Sequence, residues 1–109
     1  MIDEKRVETA LIKRAETDEE HSKLKVEVDW LEWQKKNKKA IYLTTKVSDN
    51  LSFGMKEQKW YASAEYLEHI MKQKASLESF LKIDNMRKHE LTVIDLFRTL
   101  EASRRKGNI

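Results

Sequence analysis

One stretch of the chain decides its fold: residues 26–51 read VEVDWLEWQKKNKKAIYLTTKVSDNL. Eight residues in it follow one another at alternating spacings of four and three, the period of a helix that packs along its length against another helix. They are Val26, Trp30, Trp33, Asn37, Ala40, Thr44, Val47 and Leu51. We call this set the tryptophan seam, and it predicts one long helix.

The rest of the chain offers few places where a helix would stop. It contains no proline and only two glycines, Gly54 and Gly107. A β-rich fold would need a turn about every 8–12 residues, and only residues 48–54, SDNLSFG, resemble one. We therefore predict an all-α protein: a long N-terminal helix plus two shorter helices, arranged as an elongated helical bundle or a coiled-coil-like oligomer. Glycine-rich phosphate-binding loops are excluded by the same count.

The apolar period also places the helices along the chain. The first runs from about Asp3 to Ser48, the second from about Met55 to Leu81, and the third from about Asp84 to Lys106. Asp84 is the predicted N-cap of the third helix, because its carboxylate can accept hydrogen bonds from the unpaired amides of the first turn. The predicted buried residues of the second helix are Trp60, Ser63, Leu67, Ile70, Lys74, Leu77 and Leu81, and those of the third are Met86, Leu91, Val93, Ile94, Phe97 and Leu100.

The length of 109 residues suits one domain, so we predict a single helical domain over residues 1–109. Within it, residues 1–23 carry few apolar side chains and a cluster of acidic ones. This composition favours a solvated helical arm that frays or protrudes.

A helix of this length has too little of its own chain to cover the tryptophan seam, so we predict a homo-oligomer. The predicted oligomer interface is Val26, Trp30, Trp33, Asn37, Ala40 and Val47. Asn37 has two interpretations. A polar residue at a seam position can fix register and partner number, or Asn37 lies at a wet edge of the seam.

Several classes of protein and site are excluded or disfavoured. The chain has no cysteine and no apolar run of membrane-spanning length, and its N-terminus does not resemble a secretion signal, so we predict a cytoplasmic protein with no membrane contact. Asp18 with His21, and Glu65 with His69, have the spacing of paired metal ligands, but neither pair completes a site. We therefore predict no catalytic residue, no metal and no cofactor, and we do not expect an enzyme.

Positive charge is concentrated in the middle of the chain. Residues 33–74 hold nine basic and four acidic side chains, whereas residues 1–32 hold six and ten. Lysines can neutralise phosphates, and an exposed aromatic ring can stack on an unpaired base. The candidate nucleic-acid-binding residues are Lys35, Lys36, Lys38, Lys39, Lys56 and Lys59. Lys35 and Lys39 share a helix face and are expected to act together. The alternative interpretation is that the lysines only solvate the helix surface.

The arrangement of a long helix, a basic turn region, a second helix and a final helix ending in Arg104, Arg105, Lys106, Gly107 and Ile109 resembles phage recombination mediators of the UvsY type. The resemblance covers about the last 75 residues. It implies a small helical, cytosolic protein that oligomerises, binds single-stranded DNA and helps to load a recombinase. No binding residue is carried over from that family.

The sequence thus predicts a non-enzymatic accessory protein of nucleic-acid transactions, with single-stranded DNA as its partner. The alternative is a protein-interaction module, acting as an adaptor, an inhibitor or a component of a larger assembly, without nucleic-acid binding.

Overall fold

A computed structural model describes residues 2–107 of the chain, and it contains three α-helices. Helix α1 spans Glu4–Thr45, α2 spans Phe53–Tyr61 and α3 spans Ala64–Gly107. No strand occurs between residues 2 and 107, so the predicted all-α class is confirmed. Within the same residues, no helix is both long and apolar enough to cross a membrane.

Side-chain caps set the beginnings of the helices. Asp3 accepts a hydrogen bond from the Arg6 amide at 2.8 Å, and Ser52 accepts one from Met55 at 3.3 Å. At the start of α3, the Ser63 hydroxyl accepts from the Tyr66 amide at 3.2 Å. Each cap therefore satisfies an amide that the first helical turn leaves unpaired.

The predicted break before Asp84 is wrong, because α3 runs through that position without interruption. The Asp84 carboxylate is bound instead by Lys88 at 2.8 Å and by His21 at 2.9 Å. The hydrogen bond from Lys88 contributes most, and the one from His21 next, to lowering the pKa of Asp84 below its ordinary value. Helices α2 and α3 are instead separated by Ala62 and Ser63. The Ser63 side chain caps the start of α3, whereas the helix continues without a break through residues 82–83. The third helix is consequently the longest.

The described residues form two compact units. The first comprises the chain up to Lys23 together with the chain from Leu81 onward, and the second comprises Leu24–Phe80. In the first unit, Ala10 of α1 is fully buried against Val93 and Ile94 of α3, with Ile2 and Val7 packed beside them. The acidic N-terminal segment, predicted to be a solvated arm, is therefore helical from Glu4 and packs on α3. The single domain stays a prediction.

Charged groups complete the contact between α1 and α3 in the first unit. The buried Glu90 carboxylate accepts two hydrogen bonds from the Arg6 guanidinium, at 2.7 and 3.1 Å, and this lowers the pKa of Glu90. Arg14 and Arg87 each donate to the other's backbone carbonyl, at 2.7 and 2.5 Å. Because every one of these guanidinium and carboxylate groups is paired, the polar residues here are tolerated in a half-buried contact.

An aromatic cluster organises the second unit. Trp60 of α2 is only 1% exposed, and its ring lies 5.3 Å from that of Tyr42 on α1 and 5.6 Å from that of Tyr66 on α3. Further along the same two long helices, the buried His69 ring donates from Nε2 to the Leu31 carbonyl at 2.8 Å. All three helices of the unit are thus joined through Trp60.

The helices pack through faces other than the predicted ones. On α1 the buried and half-buried positions are displaced by two residues from the tryptophan seam, and two residues rotate a helix face by about 200°. The inward set is Ala10, Arg14, Thr17, His21, Leu24, Val28, Leu31, Lys35, Lys38 and Tyr42. On α3 the inward set is His69, Gln73, Ser76, Phe80, Ile83, Arg87, Glu90, Ile94, Phe97 and Glu101.

Both inward sets alternate spacings of four and three, but about half of their members are polar. The apolar residues predicted to be buried are therefore partly exposed: Leu67, Leu77, Leu81, Leu91 and Leu100 all lie at the surface. Val93, Ile94 and Trp60 are buried as predicted. Of the predicted oligomer interface, Val47 is buried within the chain, beyond the end of α1.

We expect Trp60→Ala to lower the free energy of unfolding by about 3–5 kcal/mol, because it would leave a cavity between three helices. Leu67→Ala is the matched control, since Leu67 is 60% exposed, and it should cost less than about 1 kcal/mol. Urea unfolding followed by circular dichroism measures both. Equal losses in the two variants would contradict this packing.

We expect Glu90→Gln to lower the free energy of unfolding at neutral pH by about 1–3 kcal/mol, because the hydrogen bonds from Arg6 lose their charged acceptor. A lowered folded-state pKa stabilises the fold above the unfolded-state pKa and ceases to do so as the pH falls. The gap between wild type and variant should therefore narrow below about pH 4. Urea titrations between neutral and acidic pH measure this gap, and a pH-independent gap would exclude the proposed role of the ion pair.

Candidate functional site

The second unit contains a pocket that combines lysines with aromatic rings. Its volume is about 290 Å³, and its lining residues are Lys35, Lys36, Lys39, Trp60, Tyr61 and Tyr66. The three lysines come from α1, and the aromatic residues come from the end of α2 and the first turn of α3. The pocket therefore exists only where the α2–α3 junction meets α1.

The Ser63 cap at the α2–α3 junction determines the positions of Tyr61 and Tyr66. The Ser63 hydroxyl donates to the Trp60 carbonyl at 2.6 Å and accepts from the Tyr66 amide, so α2 ends and α3 begins within two residues. Tyr61 and Tyr66 then meet edge to face, with their ring centroids 5.1 Å apart. Trp60 is buried beneath them, whereas Tyr61 is 52% exposed. Tyr61 is thus the aromatic residue of the pocket that a ligand can reach most easily.

Lys39 joins α1 to the end of α2. Its ammonium donates to the Glu57 carboxylate at 3.2 Å and to the Tyr61 hydroxyl at 3.3 Å, and it lies 5.2 Å from the centre of the Tyr61 ring. The hydrogen bond to Glu57 is the main reason that the pKa of Lys39 is raised. Lys39 is consequently both a structural tie and part of the positive lining.

Lys35 has a weaker tie. Its ammonium lies 3.4 Å from the Glu32 carboxylate, whose other partner is Gln73 of α3 at 2.9 Å. Gln73 and then the charge of Lys35 lower the pKa of Glu32. Exposed pairs at this spacing contribute a few tenths of a kcal/mol, so a phosphate could compete with Glu32 for Lys35. Lys36 beside it is exposed.

The structure brings together three of the six lysines predicted from the sequence, namely Lys35, Lys36 and Lys39. Lys38 lines a different pocket, which it shares with the ion-paired residues Lys46 and Glu65. Lys56 and Lys59 lie on α2 and do not line the pocket that contains Tyr61. Tyr66 was not predicted, because the expected second helix ran through the junction that places it.

A second surface carries the exposed part of the tryptophan seam. The Trp30 and Trp33 rings stack on each other at 5.0 Å with an interplanar angle of 27°, and the two residues are 54% and 55% exposed. Val26, Asn37 and Ala40 are exposed on the same helix, as is Ile41 at its edge. We call these six residues the outer seam.

The two pairs with metal-ligand spacing have other partners. Asp18 accepts from Arg87 at 3.1 Å, His21 is bound to Asp84, and Glu65 is paired with Lys46. His69 is buried against the Leu31 carbonyl, and its Nδ1 atom has no hydrogen-bond partner in the part of the chain that the structure describes. Across residues 2–107, no three His, Asp or Glu side chains are placed so that they could hold one metal ion together.

Comparison with known proteins adds no relative: no protein-family model, no curated protein and no solved structure matches this chain.

Proposed function

We propose that this protein is a non-enzymatic, cytoplasmic accessory factor of nucleic-acid transactions that binds single-stranded DNA at the pocket between α1 and the α2–α3 junction. The observation that carries the proposal is the position of Tyr61. This half-exposed ring lines one pocket together with Lys35, Lys36 and Lys39, and its hydroxyl accepts a hydrogen bond from Lys39.

The two kinds of side chain match the two parts of a nucleotide. Ammonium groups neutralise phosphates and release bound counterions, which makes the affinity depend steeply on salt. A tyrosine ring offers a stacking surface to any base that is not paired, and duplex DNA does not present its bases in this way. A pocket that contains both favours single strands over duplexes, with little dependence on sequence.

The proposal also agrees with the resemblance to recombination mediators of the UvsY type. In that role the protein would self-associate, hold single-stranded DNA and assist a recombinase. The lysines that would hold the strand are those that line this chain's own pocket.

Titration of labelled oligothymidine of about 20 nucleotides, at about 50 and 200 mM salt, tests the proposal. We expect tight binding at low salt that weakens steeply, and weaker binding of a duplex of equal length. Lys35→Gln should reduce the slope of log affinity against log salt by about 0.7, the value for one phosphate contact on a single strand.

Tyr61→Ala should weaken binding by about 1–3 kcal/mol at both salt concentrations, because it removes a stacking ring rather than a charge. Tyr61→Phe keeps the ring and should bind like the wild type. Lys74→Gln is the charge control, since Lys74 is an exposed lysine of α3 outside the pocket. If the wild type, Lys35→Gln and Tyr61→Ala bind alike, or if none of them binds, the pocket is not a nucleic-acid site.

A second candidate function is favoured by the outer seam. Exposed, stacked tryptophans are typical of protein-interaction surfaces rather than of solvated helices. On this alternative the chain is an adaptor, an inhibitor or a component of an assembly, and its lysines serve only solubility. Absence of salt-dependent DNA binding, with the fold intact, would favour it.

A further inference from the structure

We infer that the outer seam of α1 is an interface for a second copy of this chain, and that the two α1 helices pair antiparallel about a point between Leu31 and Glu32. The inference needs no nucleic acid and stands apart from the proposed function. It rests on the exposure of the outer seam and on the distribution of charge along α1.

The seam is free because α1 uses another face inside its own chain. Leu31 is buried in the second unit and His69 donates to its carbonyl. Trp33 lies two residues further on, about 200° around the helix, and Trp30 lies about 100° away in the other direction. The stacked indoles therefore point away from α3. Each still presents on the order of 100 Å² of apolar surface, and because the two rings stack they form one contiguous patch.

The distribution of charge along α1 favours a second copy of this chain as the partner of the outer seam. Residues 16–32 contain seven acidic and two basic side chains, whereas residues 33–45, up to the end of the helix, contain four lysines and no acid. The change of sign falls between Glu32 and Trp33, next to the tryptophan pair. A parallel second copy would place acid beside acid and lysine beside lysine. An antiparallel copy places the acidic half of each helix beside the basic half of the other.

The same symmetry pairs individual side chains. With the twofold axis between Leu31 and Glu32, Trp30 of one copy lies opposite Trp33 of the other, so four indoles meet at the centre. Val26 then lies opposite Asn37. Asn37 is consequently at the edge of the apolar layer, as expected of a wet seam position.

Flanking this layer, Asp29 and Lys36 lie on the same side of the helix, since seven residues separate them. In the antiparallel register Asp29 of each copy reaches Lys36 of the other. Among residues 2–107, the Asp29 carboxylate is paired only with the exposed Lys25, at 3.3 Å, and such a pair is easily exchanged. Lys35, Lys39 and Tyr61 remain available for a nucleotide when Lys36 is used in this way.

Sedimentation velocity of the full chain from about 1 to 200 µM tests the pairing. We expect a monomer–dimer equilibrium in the wild type. Trp33→Ala should weaken the dimer by about 30-fold or more, because a central tryptophan is a typical hot spot. Its helical content by circular dichroism should not change, since Trp33 is exposed in the single chain. A monomer at every concentration would overturn the inference.

Charge reversal tests the antiparallel register. Asp29→Lys and Lys36→Asp should each weaken self-association about tenfold, because each places like charges opposite one another at two symmetric positions. A one-to-one mixture of the two variants should form a heterodimer that regains the wild-type affinity, as should the double variant carrying both changes.

Glu27→Lys is the matched control, because it makes the same charge change at a position that faces Gln34 rather than Lys36 in this register. It should weaken the dimer less than Asp29→Lys does. If the mixture of Asp29→Lys and Lys36→Asp stays monomeric while the wild type dimerises, the copies do not pair in this antiparallel register, and the inference fails.

Discussion

The structure depends on one constraint: in both units the face of α3 that meets α1 is largely polar, and most of its polar groups are paired with groups of α1. His69 bonds to the Leu31 carbonyl, Gln73 to Glu32, Arg87 to Asp18 and to the Arg14 carbonyl, and Glu90 to Arg6. The bonds of His69, Arg87 and Glu90 remove the penalty of leaving a buried polar group unpaired. Two buried polar atoms, the Ser76 hydroxyl oxygen and His69 Nδ1, have no hydrogen-bond partner among the described residues. Such a face specifies which residues of α1 can lie opposite it, because a helix displaced by one turn would leave several charges unpaired.

Because the inward faces of α1 and α3 are about half polar, many of the large apolar side chains lie on the outer faces of the helices. Among the described residues, six hydrophobic side chains are buried, whereas sixteen large ones are exposed. This distribution is unusual for a chain that acts alone, and it explains why both candidate sites are surfaces rather than enclosed cavities. The outer seam offers apolar area to a partner. The pocket beside Tyr61 offers charge and a ring. The two lie on different faces of α1, so occupation of one leaves most of the other accessible.

Trp60 and Ser63 connect the fold to the candidate site. Trp60 fixes α2 against both long helices, and Ser63 ends α2 and starts α3 in the space of two residues. Without that break, Tyr61 and Tyr66 would lie five residues apart on one straight helix, on different faces of it. Their rings would then not meet beside the α1 lysines. The ion pair between Lys39 and Glu57 also joins α1 to α2 next to this junction. A nucleotide-binding role for the pocket therefore depends on the junction as much as on the lysines.

The sequence by itself determined the all-α class, because a chain without proline and with two glycines has few residues that can end a helix. It also located the lysine cluster and the tryptophan seam. Only the tertiary structure decided which face is inside. Apolar periodicity pointed to Trp30 and Trp33, but α1 packs through Leu24, Val28 and Leu31, two residues out of phase. The inward period is carried partly by Arg14, His21 and Lys35, and by His69, Gln73 and Glu90 on α3. Polar residues at such positions are stable only when a partner on the facing helix satisfies them, and that pairing is a property of three-dimensional contact that spacing along the chain does not reveal.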